Sequence, residues 1–195
     1  MGNGFVFDFD RGHSATGEAS LSRYSAQTDL LFDDQNKLLG RHAITRGRNS
    51  EEQVHRVIAF TGQSLSVPSG AAVLLQLGPN AIETRPRRSE GVPTPAEKLL
   101  GFTLYQKLNS PPDPAKLAQA TKRFGVGGRA QALALRAGRG RVVIAGEAGM
   151  FSAQLFQRTL ANGKRVQFRL GMNVPGNDDR QFVLNVLHWL SGALQ

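Results

Sequence analysis

The chain contains no cysteine. That absence excludes disulfides, thiolate metal sites and cysteine nucleophiles together. It leaves the compartment open, because an exported protein need not carry disulfides. No apolar run approaches the ~18 residues of a membrane-spanning helix, and no basic-then-apolar start marks a secretory leader. Aromatics are 7% of the residues, mostly phenylalanine in apolar contexts, so no row of rings offers a stacking platform for single strands. What remains is 195 residues, 40% hydrophobic and 20% charged. This is a globular balance, enough for one domain burying roughly 70% of the surface its unfolded chain exposes.

Charge is uneven. The net charge is +9, and residues 53–195 alone carry +11, from eighteen bases against seven acids. Such an excess reads either as a phosphate or nucleic-acid surface or as an arginine-rich solvated surface. The bases are scattered, with Arg85, Arg87 and Arg88 and then Arg136, Arg139 and Arg141 as the close groups. The solvated reading is preferred, and no nucleic-acid partner is expected.

Pattern along the chain predicts a short strand from Phe5, a loop over residues 10–28, an apolar run at Leu30-Leu31-Phe32 and a turn over Asp33-Asp34-Gln35-Asn36. Residues 42–48 read as loop. A strand with an irregularity near Gly62 is expected over 54–65, and a compact one over 71–77. Residues 81–85 are its expected partner across Gly78-Pro79-Asn80. Residues 86–128 hold six of the nine prolines and read as an insertion or flexible arm of a single domain spanning 1–195. Helices are expected within it over 95–108 and 113–124, the latter with Asp113 as N-cap, Pro114 at the first position and Gly125 past the end. Residues 129–136 and 141–146 read as a hairpin turned by Ala137-Gly138-Arg139-Gly140. A short helix over 150–160, a turn at Asn162-Gly163-Lys164 and a final helix over 178–191 follow. Asp178 and Gln181 suggest a capping box for that helix and Gly192 its stop. Phe182, Val183, Val186, Leu187 and Leu190 form its apolar stripe, expected to pack on the strand 142–144, with Leu187→Asp among the most destabilising changes.

Local catalytic motifs fail one by one. Gly12-His13-Ser14-Ala15-Thr16 lacks the second glycine of a nucleophile elbow. Gly138-Arg139-Gly140 precedes a strand instead of following one, and Gly163-Lys164 lacks the flanks of a phosphate loop. His13, His42, His55 and His188 are too dispersed for a local metal site. The pairs Asp33-Asp34 and Asp178-Asp179 are explained by turn and helix-start roles. No cofactor and no metal are expected.

Three segments in order are distinctive. They are His42-Ala43-Ile44-Thr45-Arg46-Gly47-Arg48; Gly138-Arg139-Gly140-Arg141-Val142-Val143-Ile144-Ala145-Gly146-Glu147-Ala148-Gly149-Met150-Phe151; and Gly171-Met172-Asn173-Val174-Pro175-Gly176-Asn177-Asp178-Asp179-Arg180-Gln181-Phe182, running on to Asn185, His188 and Trp189. The pattern resembles the C-terminal part of a bacterial protein group with a class I glutamine amidotransferase-like α/β domain, related in shape to trehalose-utilisation proteins. The likeness covers residues 28–83 and 129–195. It implies a partial Rossmann- or flavodoxin-like three-layer α/β domain with a mixed sheet, whose opening βα units are missing here. An uncovered sheet edge would then favour self-association. The chain as given reads as cytoplasmic, and as periplasmic or exported if an upstream segment is missing. The amidotransferase cysteine would belong to the missing half, so no amidotransferase activity is expected.

Two functional readings follow. One is a non-catalytic module binding a small molecule or a protein, with a carbohydrate or cell-envelope partner as the suggested class. The other is a hydrolase whose site uses carboxylates and amides at the strand ends. Ligands of open α/β sheets gather beyond the carboxyl ends of strands, and Glu147 lies just past such an end. Glu147 is the candidate acid, base or acceptor, with Gln154, Asn173 and Asn177 as polar neighbours. The competing role for Glu147 is to accept backbone hydrogen bonds and tie two loops together. The final helix meets Glu147 only if it starts on the same rim, which the pattern leaves open.

Overall fold

The computed structural model describes residues 5–8, 29–60, 62–86, 121–159 and 162–195. Among them run β1 (Phe5–Asp8), β2 (Asp29–Asp33), α1 (Ala43–Arg46), β3 (Arg56–Phe60), β4 (Ala72–Gln76), β5 (Ala81–Pro86), β6 (Thr121–Gly125), β7 (Ala130–Ala137), β8 (Gly140–Ala145), β9 (Ala153–Thr159), β10 (Arg165–Gly171) and α2 (Asp179–Ser191). Tight 3-10 turns occupy Ser50–Glu52 and Gly149–Phe151. The fold thus has α and β elements, with few helices. The strands form four small sheets, ordered β1-β5-β6, β2-β3, β4-β7-β8 and β9-β10. Every described strand pairing is antiparallel, where the resemblance implies a mixed sheet. The links at β7–β8 and β9–β10 are too short for the crossover of a dozen or more residues that parallel neighbours need.

The β7–β8 hairpin turns where the pattern places it. Ala137 pairs with Gly140, and Gly138 takes φ +57 inside the two-residue turn. β7 is the central strand of its sheet, buried on both faces from Ala130 to Ala134. Its alanines Ala132 and Ala134 face the main core with Leu74, Phe182, Val186 and Trp189. Leu133 faces a smaller cluster with Leu65, Val73 and Ile144.

α2 forms over the expected stretch and ends at Gly192, which takes the left-handed conformation at φ +87 and donates its N–H to the Trp189 carbonyl. Its buried face is Asp179, Phe182, Asn185, Val186 and Trp189, a helical spacing. Leu187 and Leu190 from the expected stripe face outward, 56% and 41% exposed. Polar anchors set this rotation. Asn185 is fully buried and its Nδ2 donates to the Ile44 and Glu52 carbonyls at 2.7 and 2.8 Å. Arg141 on β8 donates to the carbonyls of Trp189 and Leu194 at 2.6 and 2.7 Å. The capping box does not form either: Asp178 makes no side-chain cap to its own helix.

Four other expectations change. Residues 43–46 are helical, not loop: His42 Nδ1 accepts from Ile44 N–H, and Thr45 Oγ1 accepts from His42 N–H, a reciprocal cap. Residues 150–160 hold a 3-10 turn and then β9, because Ala153 to Thr159 pair residue by residue with Gly171 to Arg165. The turn between them lies at the expected Asn162-Gly163-Lys164. Residues 121–124 of the expected second helix are strand β6, paired with β5. β5 itself pairs with β1 and β6, while β4 pairs with β7. Residues 10–28, 95–108 and 113–120 lie outside the described residues. No described helix is long and apolar enough to cross a membrane.

Candidate functional site

Glu147 follows β8 where the chain is pressed against its neighbours. Gly146 N–H donates to the Gln131 carbonyl, and its own carbonyl accepts from Gln63 N–H, both at 2.8 Å. Half-buried, Glu147 turns its carboxylate back on its own chain. Both oxygens accept from Met150 N–H, at 3.1 and 3.0 Å, so the side chain caps the Gly149–Phe151 turn. That turn rests on the end of β10, where Met172 N–H donates to the Ser152 carbonyl at 2.8 Å.

The loop into α2 closes on the same place. Asn177 Nδ2 donates to the Gly171 carbonyl at 3.2 Å and to Asp179 Oδ2 at 3.0 Å, while its Oδ1 accepts from Asp179 N–H at 3.2 Å. Asp179 is fully buried and its Oδ1 accepts from Ile58 N–H on β3 at 2.9 Å. Asp178 Oδ2 accepts from the N–H groups of His55 and Arg56 at 2.8 and 3.0 Å. α2 runs antiparallel to β8. Arg141, at the start of β8, holds the end of the helix, while Glu147, past the end of β8, acts electrostatically on Asp179 at the helix start. The helix therefore begins on the Glu147 rim.

Of the four candidates, Glu147 and Asn177 are drawn to this corner. Asn173 is half-buried in the turn after β10, with its N–H directed to the Leu170 carbonyl. Gln154 is exposed on β9, in register with Leu170. The corner's most perturbed group is Asp179. Burial, then the charges of Glu147 and Asp178, push its carboxyl up to about 8 against the opposing Ile58 N–H. Nothing local in Asp178-Asp179 marks which acid goes inside; only the helical spacing from Phe182 puts Asp179 on the buried face. A second acid missed by pattern is Glu83 on β5, fully buried, which accepts from Ser64 N–H at 3.1 Å and from its hydroxyl.

Several of the remaining polar candidates have structural partners, whereas His188 Nδ1 is buried without a hydrogen-bond partner among the described residues. Asp33 and Asn36 exchange side-chain and backbone hydrogen bonds across the β2 turn. His55 meets Asp34 at 2.8 Å on the exposed surface. Ser14 and His13 lie outside the described residues. Among the described residues no group of three His, Cys, Asp or Glu could hold a metal ion. No protein-family model, no curated protein and no solved structure matches this chain.

The Asp179 shift has a measurable sign. Its folded carboxyl keeps a proton up to about pH 8, whereas the ordinary value is 3.8. The stabilising contribution is full below about pH 4 and is lost as pH rises through 8, at up to about 1.4 kcal/mol per pH unit. Asp179→Asn should flatten this dependence. Urea midpoints of both proteins from pH 5 to 8 test it; parallel curves would mean that Asp179 is ionised in the fold.

Proposed function

We propose that the chain is a non-catalytic ligand- or partner-binding module. The observation that supports this most is the engagement of Glu147. Both its oxygens are aimed at the Met150 N–H, and Asn177 and Asp178 are likewise turned onto backbone groups. A carboxylate used as general base points at a substrate proton, whereas this one is turned onto its own backbone. The same bonds make the corner a clasp joining β3, β8, β10 and α2.

We further propose that the chain is the C-terminal part of an amidotransferase-like domain. The support for this is the order of the three distinctive segments, together with their packing. Residues 42–48 contain α1, which Asn185 of α2 ties down; residues 138–151 carry β8 and the Glu147 turn; residues 171–182 close over that turn. The hydrolase alternative is tested with chromogenic ester, glycoside and phosphate substrates on the native chain and on Glu147→Gln. No turnover by either protein is expected. Hydrolysis by the native chain that disappears in Glu147→Gln, with its melting temperature kept, would overturn the non-catalytic reading.

A further inference from the structure

At the opposite end of α2 from the Glu147 corner lies an open cavity of about 450 Å³. Its walls include Arg41, His42 and Arg46 around α1, Arg136 at the end of β7, and Trp189 of α2. No aspartate or glutamate lines it. Arg41, Arg46 and Arg136 are exposed. None of the three is within ion-pair distance of a carboxylate among the described residues, where the ion pairs are made by Arg48, His55 and Arg56. A fourth arginine, Arg141, lies over the Trp189 ring at 5.2 Å, and His42 meets that ring edge-on at 5.2 Å.

Three guanidinium groups around one opening, with no acid partner among the described residues, repel one another unless an anion joins them. The positive field is felt locally: burial, then Arg46 and Arg141, hold the His42 imidazole below its usual range, so it tends to stay uncharged. Guanidinium forks match the oxygens of phosphate and carboxylate, and a dianion offsets more of this charge than a monoanion. Ala72, Ala134 and Leu135 add apolar surface, and the size suits a small molecule. The lone tryptophan offers no succession of rings for a nucleic-acid strand.

We infer that this cavity binds a small phosphorylated molecule, with the phosphoryl group held by Arg41, Arg46 and Arg136 and the body against the Trp189 side. The inference rests on the reading of the chain as a ligand-binding module. Trp189 is the chain's one tryptophan and lines the cavity, so its fluorescence reports on this end of α2. Titration of the native chain with phenyl phosphate should give a saturable change, and phenyl phosphate should raise the thermal midpoint. Arg41→Gln and Arg136→Gln should each weaken binding about tenfold. Arg165→Gln, on exposed β10 and outside the cavity, should leave it unchanged. Benzoate should bind more weakly than phenyl phosphate. A titration with no saturable change and no thermal shift would overturn the site and leave the non-catalytic reading standing. Equal weakening by Arg165→Gln, benzoate binding as tightly as phenyl phosphate, or a DNA oligonucleotide displacing phenyl phosphate at lower concentration would each overturn it too. Release of phenol during the titration would overturn the non-catalytic reading and leave the site in place.

Discussion

Phe182→Asp should leave the chain unable to hold its fold at 25 °C. Phe182 is fully buried, in a tilted contact with Phe151 at 6.2 Å between ring centroids. Removing a buried phenylalanine costs about 3–5 kcal/mol, and burying an unpaired carboxylate adds several more. Against a typical domain stability of roughly 5–15 kcal/mol, little is left. Leu187→Asp, five residues along the same helix, should change stability by no more than about 0.5 kcal/mol, because Leu187 is 56% exposed. Urea unfolding followed by circular dichroism compares the two. A larger loss in Leu187→Asp than in Phe182→Asp would mean that the helix is rotated from the position that Asn185 and Arg141 give it.

Gly171→Ala should be strongly destabilising too, though less so, for a backbone reason. Gly171 has φ +58, and a Cβ there would stand 2.1 Å from the Gly149 carbonyl oxygen and 2.2 Å from that of Ser152. Both obstacles are main chain, so relief requires the end of β10 to move off the Glu147 turn. The left-handed conformation costs about 1–2 kcal/mol and the forced displacement another ~1–3 kcal/mol. Gly163→Ala is the control. It shares the positive φ, at +78, but would meet nothing within 4 Å, so only the conformational term applies. Denaturation midpoints separate them; equal losses would show that the β10 contact with the turn is loose.

Local chemistry makes part of this fold legible. The β7–β8 hairpin is readable because alternation and a glycine turn agree over a short span, and α2 because its apolar spacing and Gly192 agree over a longer one. What fails are choices made by distant partners. Residues 153–159 carry a pattern compatible with either element, and their pairing with 165–171 decides for strand. The α2 stripe includes Leu187 because hydrophobicity alone widens a stripe; a buried asparagine bonded to two carbonyls narrows it again. The short helix at residues 43–46 is visible in principle, since His42 and Thr45 have capping-box spacing and Gly47 follows Arg46. For the candidate site, the meeting of Glu147 with the loop before α2 depends on helix direction, which no local pattern encodes. The arginine cavity joins Arg41 and Arg46 to Arg136, ninety residues further along the chain, so a search for runs of like charge finds only part of it.

The pairing of β5 with β6 joins Pro86 directly to Thr121. Residues 87–120 therefore span a closure whose two ends are already held side by side by a sheet. The entropy of closing such a span changes slowly with its length, by about 0.6 kcal/mol for each doubling or halving. By the closure term alone, a change in the length of sequence between Pro86 and Thr121 therefore costs little while the strand ends stay paired. The β5–β6 pair is in this respect a clamp, which fixes where the two ends meet and leaves the distance along the chain between them unspecified.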